Sequence, residues 1–437
     1  MTIPKLLLHN RNLKVVAELN NQNQDITDED RRLKFEKMSV SPYIFFRGSN
    51  HLFWEDFYKD WRINFFGGIQ ETLTWINGDA HIYNYGAYAD HNGKAIFCMD
   101  DFDDSIVADY QFDLWRMAVS IVLDCREQRV FNRKTQKKAV GIFARTYRER
   151  MSLSGHDEES NEKHLTAASS KGLMKKFLKK VEKEKNRQKM LSKWTTVVGD
   201  TRKFDLQNPK VKALDKELYT SIYQSLTAYI DTVSSDLTDN RARFRIKDIV
   251  GRGQAGTGSL GSERYYALLE GDTDANHDDV ILDIKEQGKP PLYDHMNRNE
   301  QQEFDRLFPN PAQRHALAFQ ALAEHPDKYL GWFEWKGKFF SVKERSPFKA
   351  DFPTEKLKDD SELYFMSELW GDVLARRHKR ASYALNQNGH DMPEKFAELI
   401  DGNEEEFDKL VESIAFNYAN CVKQDFQYFK KALKSND

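Results

Sequence analysis

The sequence predicts an α+β fold in two lobes, one mainly helical and one built on a small sheet. Residues 241–345 hold a series of strand-like runs, one helix and a glycine-rich stretch, the make-up of a small sheet lobe. Residues 130–240 are charged and helix-patterned, and the chain turns helical again after Pro353. Residues 1–240 and 346–437 are therefore expected to build one helical lobe, interrupted in sequence by the sheet lobe. A chain of 437 residues suffices for both cores.

The elements follow in order. Residues 11–40 are polar with scattered apolar positions, expected as peripheral helices and loops. Ser41 to Asp60 is dense in aromatic residues (Tyr43, Phe45, Phe46, Phe53, Trp54, Phe57) and is expected in the core. Arg47 interrupts it; a structural salt bridge is its expected role, with an anion as the other reading. Thr72 to Ile76 reads as a strand that stops at Asn77-Gly78. Tyr85–Ala89 and Lys94–Met99 read as a hairpin around Asp90-His91-Asn92-Gly93. A helix is expected from Asp113 to Leu123, with Leu114, Met117, Ala118, Ile121 and Val122 at helical spacing. Lys171 to Lys193 carries ten Lys and Arg against two Glu, expected as a solvated helix face. In the sheet lobe, Tyr265–Leu269, Val280–Lys285, Trp332–Trp335 and Phe339–Val342 read as strands, and Gln313–Ala323 as the helix.

Composition narrows the function classes. The net charge is −3, so no global field argues for nucleic acid, and none is expected as a partner. The three cysteines, Cys98, Cys125 and Cys421, form no close pair, which fits a reducing cytoplasm. The opening apolar run is expected to be too short for a signal peptide, and no stretch suits a membrane span.

The chemistry concentrates in two places. Gly78-Asp79-Ala80-His81-Ile82-Tyr83-Asn84 has the Asp-x-x-x-x-Asn form in which a carboxylate orients an attacking hydroxyl and an amide oxygen holds Mg²⁺. Asp101-Phe102-Asp103 follows the hairpin, where protein kinases place their metal aspartate, and Asp100 to Asp109 holds five carboxylates that a divalent cation would relieve. Far later comes Gly256-Thr257-Gly258-Ser259-Leu260-Gly261. A dinucleotide fold needs a helix after such glycines. Here Arg264 to Leu269 reads as a strand, the arrangement in which backbone amides close over phosphates. Lys285 ends the next apolar strand, placed to reach phosphates, with Glu303 as its expected carboxylate partner; Glu286 should face the other way.

These segments, with Phe45-Phe46-Arg47-Gly48, Asn84-Tyr85-Gly86, Arg264-Tyr265-Tyr266 and Leu269-Glu270-Gly271, resemble an uncharacterised bacterial family, domain of unknown function 2252, over most of the chain. That family is similar to the protein-kinase-like superfamily, and to aminoglycoside and choline phosphotransferases in particular. Asp113-Leu114 resembles the pair that opens the helix beyond the metal loop, and Leu374 to His378 the helix before the catalytic loop. Asn77 stands where His or Tyr is usual, and Asp103 where Gly is. The order of the parts is inverted, which implies a circularly permuted kinase-like fold. The resemblance implies an ATP- and Mg²⁺-dependent phosphotransferase with Asp79 as catalytic residue. Asn84, Asp101 and Asp103 would serve the metal, and Gly256, Gly258, Ser259, Gly261 and Lys285 the nucleotide. The acceptor, a small molecule or protein, stays open, as does nucleotidyl transfer. Two alternatives are a metal-dependent phosphoesterase built on Asp79-x-His81 and a nucleotide-binding module without catalysis.

Overall fold

The computed structural model describes residues 10–24, 26–90, 92–153, 165–233, 244–253, 262–273, 275–323, 326–385 and 391–436, and it is an α+β arrangement. In the first half, β1 (Leu73–Ile76), β2 (Tyr85–Ala89), β3 (Ala95–Met99) and β4 (Ile106–Asp109) form two small antiparallel ladders. β1 pairs with β4, while β2 and β3 make the expected hairpin with Tyr85 opposite Met99. The helix Gln111–Gln128 follows, longer at both ends than its apolar spacing predicted. The aromatic stretch forms two short helices, Pro42–Gly48 and Asn50–Phe57. Ser41 caps the first through its hydroxyl, and Phe45, Phe46, Phe53 and Trp54 are buried.

The second half carries a six-stranded antiparallel sheet. Its members are β7 (Val211–Lys212), β8 (Ile246–Arg252), β9 (Arg264–Leu269), β10 (Val280–Gln287), β11 (Gly331–Trp335) and β12 (Lys338–Glu344), in the spatial order β11-β12-β10-β9-β8-β7. The segment Val280 to Lys285 alternates as a pleated strand must. Val280, Leu282 and Ile284 enter a core shared with the helix Lys216–Ile230, whereas Ile281 packs under Trp194 and Tyr266 on the other face. Asp283 and Lys285 share that second face, where two cavities open. The helices Asp360–Leu385 and Glu404–Asn436 return to pack on Gln111–Gln128 and Arg133–Met151.

One stretch departs from the sequence reading. Residues 130–240 are not helical throughout: β5 (Thr195–Val198), β6 (Thr201–Phe204) and β7 lie within them. Met190, Leu191 and Trp194 pack on the sheet, and Ile222, Leu226 and Tyr229 pack on its opposite face. Thr195 to Phe204 carries a hairpin signal, four β-branched residues before Gly199-Asp200, with Gly199 at φ +61°. The surrounding run of lysines and glutamates masked it. On the helix Gly172–Glu184 the lysines stay outward over buried Met174, Leu178 and Val181, as a solvated face should. No helix among the described residues is long and apolar enough to cross a membrane.

Candidate functional site

The loop after β1 is held from behind by one buried carboxylate. Asp113, in the first turn of the helix Gln111–Gln128, accepts hydrogen bonds from the backbone N–H groups of Asn77 (2.6 Å) and Gly78 (2.9 Å). Its Oδ2 lies 3.1 Å from His378 Nε2, and His378 Nδ1 lies 2.8 Å from the Tyr147 hydroxyl. In front, Asn50 Nδ2 donates to the Gly78 carbonyl (3.0 Å) and to Asp104 Oδ2 (2.8 Å), and the Asn77 amide donates to the Asp101 carbonyl. Loop 77–84 and loop 101–105 are thereby one bonded unit.

Gly78 makes that unit possible. It sits at φ +78°, and a Cβ there would collide with the Asp104 carbonyl oxygen, a backbone atom with little room to retreat. Gly78→Ala is expected to lower stability by about 3 kcal/mol through left-handed strain plus overpacking. The shift of the urea unfolding midpoint measures it, and an unchanged midpoint contradicts the account.

Asp79 projects into a cavity, and its carboxylate is gripped by a residue the sequence reading passed over. Arg116 is buried, and its Nε donates to Asp79 Oδ1 at 2.7 Å, joined there by Nη2. The guanidinium lies 4.1 Å from the Phe46 ring centroid and 5.2 Å from that of Phe53. An arginine within the apolar helical run Leu114 to Val119 was the available signal, since such a charge requires a buried partner. Burial pushes the Asp79 carboxyl up to about 7, against the opposing pull of Arg116.

Asn84 and Asp101 supply oxygens. Asn84 Nδ2 donates to the Asp79 carbonyl (2.9 Å) and to Asn77 Oδ1 (3.3 Å), and no hydrogen bond among the described residues uses its Oδ1. Asp101 is exposed, and no cation among the described residues is bonded to its carboxylate. Asp103 is occupied: Lys285 Nζ forms an ion pair with its Oδ2, and Gln287 Nε2 donates to Oδ1 at 2.9 Å. Burial pushes the Asp103 carboxyl up, but the Lys285 ammonium outweighs it and holds the group well below the usual carboxylate range. Buried Arg314 fixes the loop further, bonding the carbonyls of Asp103 (2.8 Å), Ser105 and Gly288 (3.2 Å).

Two cavities meet at these groups. One, of about 580 Å³, lies against β12 and the segment after it, beside Arg264, Asp283 and Lys343. The other, of about 570 Å³, opens over Asp79 and Asn84 and reaches Ser262, at the end of the glycine-rich stretch. Asp101, Asp103 and Lys285 line both. Gly256, Gly258, Ser259 and Gly261 lie outside the described residues.

A family model described as an uncharacterised protein conserved in bacteria, domain of unknown function 2252, matches residues 27–432. The chain belongs to this family. No curated protein and no solved structure matches it. In this member, two sequence expectations give way. Glu303 is exposed and paired with Arg306 at 2.6 Å, so the carboxylate meeting Lys285 is Asp103. Glu286 does face away, accepting from the Glu263 N–H (2.8 Å) and lying 3.1 Å from Lys338. Arg47 makes no structural salt bridge among the described residues. It lies at the surface, with Nε bonded to His81 Nε2 at 3.2 Å. Its helix turns it outward over the cavity, while Phe45 and Phe46 take the core.

Proposed function

We propose that this protein is an ATP- and Mg²⁺-dependent phosphotransferase with a circularly permuted, two-lobed kinase-like fold. The observation that carries the reading is the Lys285–Asp103 ion pair. It joins the strand expected to hold phosphates to the loop expected to hold metal, two segments far apart in sequence and in the reverse of the usual order. The strand sequence around it supports the same reading: the glycine-rich stretch connects β8 to β9, Lys285 lies on β10, and a helix, Pro311–Leu322, precedes β11 and β12.

The oxygens fit magnesium. Mg²⁺ keeps several waters and takes one or two protein oxygens together with substrate phosphates, so Asp101 and Asn84 suffice to hold it without a closed cage. Among the described residues no three His, Cys, Asp or Glu side chains converge as a metal group. Bound MgATP supplies the phosphoryl group and the counter-charge for its transfer. Asp79 accepts the acceptor's hydroxyl proton or orients it, with Arg116 fixing the carboxylate. Lys285 holds phosphate oxygens, and Asp103 keeps the ammonium charged and aimed. His81 is buried with Nε2 turned to Arg47, which weighs against its serving a phosphoesterase metal pair.

The test uses the full chain with MgATP labelled on the γ-phosphate and a small-molecule extract. Label should pass to an acceptor, and Lys285→Ala should weaken MgATP binding roughly tenfold or more. A wild-type chain with no affinity for MgATP, or a Lys285→Ala variant that binds it equally well, rejects the reading.

A further inference from the structure

Among the described residues, matching the charges of the cavity over Asp79 leaves one cation, Arg47, without an ion pair. Lys285 is paired with Asp103, and Lys289 Nζ lies 2.7 Å from Asp305. Of the carboxylates facing it, Asp79 is gripped by Arg116, Asp104 accepts from Asn50 and Asp294 accepts from Gln22 at 2.5 Å, while Asp101 is paired with no cation among the described residues. Arg47 has no carboxylate within ion-pair distance among the described residues.

Arg47 is nevertheless held in place. Its Nε donates to His81 Nε2 at 3.2 Å, and its guanidinium carbon lies 5.5 Å from the Tyr83 ring centroid. Tyr83 is itself fixed, edge-on to Tyr43 at 5.3 Å, with its hydroxyl 3.0 Å from Thr354 Oγ1. With Nε committed, no hydrogen bond among the described residues uses the two terminal nitrogens of this cavity-lining side chain. A guanidinium so presented forms a two-pronged donor matched to carboxylate or phosphate. His81 Nε2 lies 3.7 Å from Asp79 Oδ2, so one imidazole separates the guanidinium from the proposed catalytic carboxylate.

We propose that the acceptor is an anionic hydroxy compound, its phosphate or carboxylate held by Arg47 while its hydroxyl meets Asp79. This rests on the phosphotransferase reading above. The hydroxyl oxygen bonds to the γ-phosphorus of ATP, the bond from that phosphorus to the β–γ bridging oxygen breaks, and the hydroxyl proton passes to Asp79. ADP and a phosphorylated acceptor leave.

Calorimetry on the full chain tests this with glycerol 3-phosphate, glycerate, glycerol and choline as probes. The wild type should bind one or both anions but neither glycerol nor choline. Arg47→Gln should weaken anion binding roughly tenfold or more, with MgATP affinity unchanged. Arg47→Lys should restore part of it, since the charge returns without the fork. Circular dichroism checks that both variants are folded. The Arg47 assignment is overturned if Arg47→Gln binds the anions as the wild type does, if the wild type binds neither, or if the loss falls on MgATP instead. A wild type that takes the anions through Arg47 but never MgATP overturns the phosphotransferase reading and, with it, the acceptor role.

Discussion

Asp79→Asn is expected to cut phosphotransfer roughly 10²- to 10⁴-fold while leaving MgATP affinity near that of the wild type. The amide keeps the shape of the carboxylate and one oxygen for Arg116, but it takes no proton from a hydroxyl. The pH profile gives a sharper test. The Asp79 carboxyl is raised from 3.8 to about 7 by burial, so the competent ionised form is lost as pH falls below about 7. The wild-type rate should rise with pH through about 7, and the residual rate of Asp79→Asn should show no such limb. The stability sign runs the other way. A carboxyl raised in the folded state binds its proton more tightly there, so its stabilising contribution is present at low pH and is lost as pH rises from about 4 to about 7. The substitution also changes what buried Arg116 bonds, so folded stability is measured alongside the rate. Assays well below the melting temperature separate the two effects. Full activity in Asp79→Asn, or a wild-type profile flat across pH 6 to 8, removes Asp79 from the mechanism.

Asp113→Ala should be the most destabilising change at the site, by about 3–5 kcal/mol. Asp113 is 1% exposed and satisfies two backbone N–H groups as well as His378. Deleting it leaves each donor buried without an acceptor, at about 1–3 kcal/mol apiece. Because those donors belong to Asn77 and Gly78, the loop that aims Asp79 loosens with them. Hydrogen exchange at these two amides should accelerate in step with the loss of stability. Asp113→Asn keeps one acceptor oxygen and should fall between. A cost under 1 kcal/mol for Asp113→Ala would mean that water or a shifted neighbour replaces the carboxylate.

Local pattern made some of this legible. The β2–β3 hairpin announced itself through two apolar runs around an Asn-Gly turn, and β10 through the apolar run Val280 to Ile284 that ends at Lys285. The loop Asn77 to Asn84 was visible because its residue types and spacing are local. Arg116, His378 and Arg314 were not, because each acts on a backbone or carboxylate remote in sequence. The partner of Lys285 shows the same limit: Glu303 suited by its place in a nearby helix, but that helix turns it to solvent against Arg306.

The sequence by itself determined the α+β class, the family, the strands and helices with clean periodicity, and the short segments rich in chemistry. Periodicity and turn residues encode these within a few positions of each other. Only the tertiary structure decided that Lys285 meets Asp103, that Arg116 grips Asp79, and that Arg47 faces a cavity rather than a carboxylate. Those are matters of which surfaces are buried together, and burial turns an ordinary charge into one that must find a partner.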